Sequence, residues 1–194
     1  MTSIAATALG TLIALALVRY GFRGRGTTNL LIFLPMSSPE IVLGASLLTL
    51  FLSMSVPLGF GTILIAHIMF SISYVVVTVK ARLIGFDRHL EEAAMDLGAN
   101  EVTTFRKVTL PLIAPAMLAA ALLGFALSID DFVITYFNAG GTQTFPIFVW
   151  GIARVAVPPQ VNVIASAIFI VAIAIALTNV FWEYRSAKRT RGAT

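Results

Sequence analysis

Residues 29–52, 58–79, 112–129 and 161–182 form four runs of 18 to 24 residues that share a single charged side chain, Glu40. About 20 apolar residues in helical form cross the ~30 Å hydrocarbon core of a bilayer. Within that core every backbone amide must find its partner inside the protein, which favours helices. A fifth run, residues 4–18, has 15 residues and as a helix reaches only about 22 Å, so it is read as a truncated or frayed span. Composition agrees: 58% of the chain is hydrophobic and 11% charged, against about one quarter charged in soluble domains. The expectation is an all-α polytopic membrane bundle over residues 1–182, followed by a basic tail, 183–194. The chain has no cysteine and two histidines, His67 and His89, so thiolate and histidine metal centres are not expected.

The basic residues orient the bundle. Arg19, Arg23 and Arg25 follow the first run; Lys80, Arg82, Arg88, Arg106 and Lys107 lie between the third and fourth; Arg185, Lys188, Arg189 and Arg191 sit in the tail. With these three regions in the cytoplasm, 12 of 13 basic residues are inside and only Arg154 is outside, as the positive-inside rule asks. The net charge of +4 then needs no nucleic acid. This topology starts outside the membrane, yet "MTSIAATALG" has no basic n-region of a signal peptide. An upstream segment, another transmembrane helix, is expected; a five-span protein is the alternative. Between Asp130 and Gln160, Phe145, Phe148 and Trp150 suit a helix lying in the interface.

Residues 86–115, "FDRHLEEAAMDLGANEVTTFRKVTLPLIAP", carry 8 of the 22 Asp, Glu, Lys and Arg residues. On a helix, Leu90, Ala93, Ala94 and Leu97 fall on one stripe, with Glu91, Glu92, Met95 and Asp96 off it. Asp87 suits the start and Gly98 the left-handed stop. Asn100 suits the cap of a second helix, with Glu101 in its first turn and Arg106 and Lys107 near its end. Leu110-Pro111 is expected to close that helix, because a residue before proline leaves the helical region. Pro111 and Pro115 then suit the first turns of the next span. Two readings stand: a lever for a partner, with Ala93-Ala94 allowing close approach, or an amphipathic connector packed on its own bundle.

The order Glu92-Ala93-Ala94, three residues, Gly98, nine residues, Val108, one residue, Leu110-Pro111 resembles the EAA motif of binding-protein-dependent ABC importer permeases, with valine in place of the usual isoleucine. "RYGFRGRG", "MSSPEIVLG", "SYVVVTVKARLIGFD", "LSIDDFVITYF" and "VPPQVNVIAS" are similar to the permease subunits of spermidine/putrescine importers, across nearly the whole chain. The resemblance implies six spans with the N-terminus inside, so the family's N-terminal region and first helix are expected to precede this sequence. It also implies that the cytoplasmic loop 80–111 is a coupling helix docked in a groove of an ATPase dimer, through Glu91, Glu92, Ala93, Ala94, Gly98, Val108, Leu110 and Pro111. A second permease subunit and an extracytoplasmic binding protein complete the implied machine. No GxxxxGK[ST] phosphate loop occurs in the chain, so ATP is expected on the partner subunit and no cofactor on this one.

Ionisable groups within the membrane need a role or a partner. Glu40 follows Pro39; Pro35 and Pro39 are expected to break the run there and expose carbonyls to protein or water. Its carboxylate either faces a cation pathway or is tied to Ser37, Ser38 or nearby backbone. Asp130 and Asp131 end the fourth span, where they suit either a polyamine at the cavity mouth or a plain helix boundary. Tyr74, Phe125 and Phe132 suit stacking on ammonium groups or ordinary packing. His67 reads as a satisfied bundle residue, and Arg154 as a contact for the binding protein or lipid headgroups. Two alternatives remain at this point: the same machinery carrying another small solute (an amino-acid derivative, an opine-like compound or a metal chelate), and an ATP-independent secondary transporter or channel.

Overall fold

The computed structural model describes residues 1–154, 159, 160, 162–171, 173 and 174. The tail, 183–194, and the second half of the run 161–182 lie outside the described residues. Residues 1–147 form one compact unit and residues from Phe148 onward a second. Most of the described residues are helical, and none of them lies in a strand.

In the first unit, α1 (Thr2–Arg19), α4 (Phe60–Ile84) and a helix running from Glu101 to Asp130 are long and apolar enough to cross a membrane. The first run is therefore longer than its 15 apolar residues indicate. It makes an 18-residue helix, about 27 Å at 1.5 Å per residue. The run 29–52 is not one straight span. It is α2 (Arg25–Ser37) and α3 (Glu40–Ser53), bent by 111° at the break. Ser38, held extended before Pro39 (φ −89°, ψ 142°), makes the break, as a pre-proline residue must. Pro35 does not break the helix: α2 carries it inside. Ser37 and Ser38 turn their hydroxyls back to the carbonyls of Phe33 and Leu34 (3.1 and 2.8 Å).

Helix α4 is the shared axis of two cores. On one side Val75, Val76 and Val79 pack with Ala6, Ala14 and Leu17 of α1 and with Ile113 and Ala120 further along the chain. Small side chains let membrane helices approach closely. Gly10 is the tightest point: a Cβ there would lie 2.6 Å from Val75 Cγ1. On the other side Ala66 and Phe70 pack with Leu47 and Phe51 of α3 and with Ile134 of α8 (Val133–Asn138). Gly44 serves the same end, since a Cβ would lie 2.8 Å from Phe137 Cδ2. Thr62 Oγ1 donates to the Asn138 carbonyl (2.8 Å) and so ties the start of α4 to the end of α8.

The charged loop comprises α5 (His89–Asp96), α6 (Glu101–Thr104), a π-turn (Phe105–Thr109) and the start of α7 (Leu110–Asp130). Lys80 Nζ donates to Asn29 Oδ1 (2.6 Å), so α2 begins at the loop end of α4. α1 ends there too, through contacts of Arg19 and Val18 with the loop. The ends that charge assigns to the cytoplasm are thus gathered together. Past residue 147, α9 (Phe145–Ala153) reaches Arg154, whose guanidinium lies 3.6 Å from the Trp150 ring centroid. A further apolar helix spans Asn162–Val171.

Candidate functional site

The loop is built by local capping. Gly98 adopts φ +88°. Its N–H bonds the Met95 carbonyl (2.8 Å) and the N–H of Ala99 bonds that of Ala94 (3.1 Å), the double closure of a glycine-terminated helix. Asn100 Oδ1 then accepts from the N–H of Thr103 (2.8 Å) and starts α6. Asp87 accepts the N–H of His89 (3.0 Å) and its ring Nδ1 (2.6 Å). These exposed partners hold Asp87 below the usual carboxylate range and His89 above the usual imidazole range, chiefly through the side-chain hydrogen bond they share.

Leu110-Pro111 does not close the second helix. The chain continues as one 30-residue helix from Glu101 to Asp130, about 45 Å of rod. The π-turn absorbs the proline: Leu110 N–H reaches back five residues to the Phe105 carbonyl, in the wide turn that recurs inside α-helices. Pro115 likewise lies inside α7 rather than at its start. Val108 and Leu110 are half-buried on this rod, and Pro111 is exposed.

The faces of α5 are inverted relative to a connector packed on its own bundle. No residue of α5 is buried. Leu90 is 49% exposed and Leu97 90%, with Met95 and Val102 also open. Glu92 and Ala93 are exposed and Ala94 half-buried. Leu90, Ala93 and Leu97 of the apolar stripe therefore stand open, with only Ala94 partly covered. The side chain that points back is an acid: Glu91 accepts from Arg19 of α1 and from the Thr109 hydroxyl. Glu91, grouped by sequence with the docking residues, is thus held by its own chain.

At the opposite end of the helices the two aspartates part company. Asp131 is half-buried as a residue, with its side chain only 6% exposed. Its Oδ2 accepts the N–H and hydroxyl of Thr135 (2.8 and 2.9 Å) and meets His67 Nε2 (3.1 Å). His67 Nδ1 meets Ser128 Oγ (2.8 Å). This cluster lines a cleft of about 270 Å³ with Phe60 and Phe145. Asp130, one residue earlier, is exposed. Glu40 is also exposed, in the first turn of α3 at the 111° bend. There the helix dipole favours its charge, and Ser37 and Ser38 are occupied elsewhere. Tyr74 is half-buried and edge-on to Phe70 (5.2 Å), within the second core. Phe125 is 57% exposed, and Phe132 sits 5.3 Å from Tyr136. The structure leaves Glu40 and Asp130 as open carboxylates, holds Asp131 in hydrogen bonds at the cleft, and packs Tyr74 against the second core.

Sequence reading missed Arg19, Thr109, Thr135 and Ser128. Arg19 reads only as a topology-setting charge. Thr109 had a faint signal, lying between the motif positions Val108 and Leu110.

The described residues form a multi-helix bundle with helices long and apolar enough to cross a membrane and a charged, glycine-stopped loop whose Leu90, Met95 and Leu97 stand open. The chain belongs to the family described as binding-protein-dependent transport system inner membrane component, which matches residues 6–191. It is 42% identical over 175 residues to the spermidine/putrescine transport system permease protein PotC of Haemophilus influenzae, covering 90% of this chain and 68% of that one. Against PotC of Escherichia coli K12 it is 40% identical over 190 residues, covering 97% and 71%. Against the putrescine transport system permease protein PotI of the same strain it is 42% identical over 172 residues, covering 84% and 61%. It is an inner-membrane permease component of an ABC importer, not an enzyme, and works with other subunits.

Proposed function

We propose that this chain is a permease subunit of an ATP-driven polyamine importer, coupled through residues 80–111 to a separate ATPase dimer that binds the ATP. A second permease subunit and an extracytoplasmic binding protein complete the assembly. The observation that carries the coupling is the outward apolar face of α5, with Leu97 90% exposed. A soluble loop that leaves such side chains open is shaped for a protein partner. The polyamine cargo rests on the names of the relatives and on the chemistry of the open carboxylates. Glu40 and Asp130 suit a chain of ammonium groups.

Mechanically, closure of the ATPase pair displaces α5 and α6, and α6 continues through the π-turn into α7. The 30-residue rod then carries the displacement from the docking loop to Asp130 at the outer end. This is rigid-body switching of a bundle between two packings. The test is reconstitution in proteoliposomes with the ATPase, the second permease and the binding protein. Spermidine uptake that needs ATP and all four components is the expected result. Uptake by the permeases alone on an ion gradient would make the chain a secondary transporter, and ATP-driven uptake that ignores polyamines would reassign the cargo.

A further inference from the structure

Helix α5 buries none of its residues, so apolar packing does not fix it to the bundle. Polar links do, and they converge on the last two residues of α1 and its neighbour in the π-turn. Arg88 Nη2 donates to the Val18 carbonyl (3.0 Å). Three residues on, and so on the same face of the helix, Glu91 takes the Arg19 guanidinium and the Thr109 hydroxyl on one oxygen. Arg19 Nη2 also donates to Thr109 Oγ1 (3.2 Å), closing a three-membered ring of contacts. Glu91 is 13% exposed and Arg19 26% at the side chain, and Thr109 is fully buried. Charge-assisted hydrogen bonds in such partial burial are the strong ones.

We infer that Arg19, Glu91 and Thr109 form a latch that fastens the docking helix to the inner end of α1, so that the two move as one body. The three are positioning residues: Glu91 acts through Arg19 and Thr109, not by touching the partner. α1 in turn packs along α4 through Ala14 and Leu17, so the latch gives a displaced α5 a second grip on the bundle, beside the α6–α7 rod. This rests on the reading that the loop docks on an ATPase.

The experiment uses the assembled transporter and four variants: Arg19→Glu, Glu91→Arg, the double exchange, and Thr109→Val. Each single reversal is expected to leave ATPase copurification intact and to lower solute moved per ATP hydrolysed on the order of tenfold, the scale of a strongly coupled pair. The exchange is expected to restore most of that ratio, and Thr109→Val to fall between. Because the chain has no cysteine, spin labels can be placed singly at exposed Tyr20 and Asp87. Their separation should stay narrow and unchanged on trapping with ATP, and broaden only in the single reversals. Copurification lost in Glu91→Arg and not regained by the exchange would make Glu91 a partner contact and overturn the latch. A 20–87 separation that shifts on ATP trapping in the unaltered chain would overturn it as well. Failure of the unaltered chain to hold the ATPase breaks the docking reading instead; the label separation in the permease alone still decides the latch.

Discussion

The two polar regions of this permease are built in opposite senses. At one end of α4, Asp131 is turned inward and held by His67 and Thr135. Its neighbour Asp130 stands open, as does Glu40 at the α2–α3 bend. On the cytoplasmic loop, Glu91 is turned inward and saturated, and what stands open is apolar: Leu90, Met95, Leu97 and Val102. In each region one acid is held by its own chain while neighbouring groups stand open. Carboxylates suit a cation and aliphatic side chains suit a protein. Adjacent residues of the same type thus split between held and open, and the packing of the helices decides which is which.

The sharpest way to break this comparison is to treat the two aspartates alike. Asp131→Ala strips the partner from a buried histidine and from the Thr135 amide. It should cost on the order of 3 kcal/mol and reduce the folded protein recovered in detergent. Asp130→Ala should leave recovery unchanged. Equal recovery of the two variants would show that burial does not separate them.

Next in size are the docking positions. Gly98→Trp places a large side chain at φ +88°, where only glycine sits easily. Insertion should survive and ATPase copurification vanish. Leu97→Asp should weaken the same association by about 2 kcal/mol, the scale of an interface hot spot. Copurification that withstands both would turn the exposed stripe into ordinary surface.

A smaller effect is expected at the open acids. Glu40→Gln should raise the apparent KM for spermidine about fivefold with expression unchanged, roughly 1 kcal/mol for a partly screened charge pair. An unaltered KM would leave Glu40 a helix-start charge alone.

The smallest effect is a pH dependence. His89 is raised and Asp87 lowered by their shared hydrogen bond. The imidazole's contribution to the start of α5 is full below its ordinary value and fades as pH rises through its raised one. The carboxylate's is full above its ordinary value and fades as pH falls through its lowered one. Between those limits the pair steadies α5. A His89 ring titration by NMR in nanodiscs should show the upward shift and lose it in Asp87→Asn.

The capping residues of the loop were legible because their signals are local: Gly98 and Asn100 do what glycine and asparagine do at helix ends wherever they occur. The break before Pro39 was legible for the same reason. The continuous rod through Leu110-Pro111 was not, because proline's local preference was overridden by a π-turn that keeps the segment helical. The stripe Leu90, Ala93, Ala94 and Leu97 was visible as a pattern, but periodicity cannot say whether a stripe faces its own bundle or a partner.

By itself, then, the sequence determined the class of structure, the family and the helix ends of the charged loop. Hydrophobic run length, the placement of arginine and lysine, and motif spacing all act over short stretches of chain. Only the tertiary structure decided which acids are held and which are offered. Asp131 needs His67, 64 residues away, and Glu91 needs Arg19, 72 residues away. A carboxylate's role depends on the partners that reach it once the helices have packed.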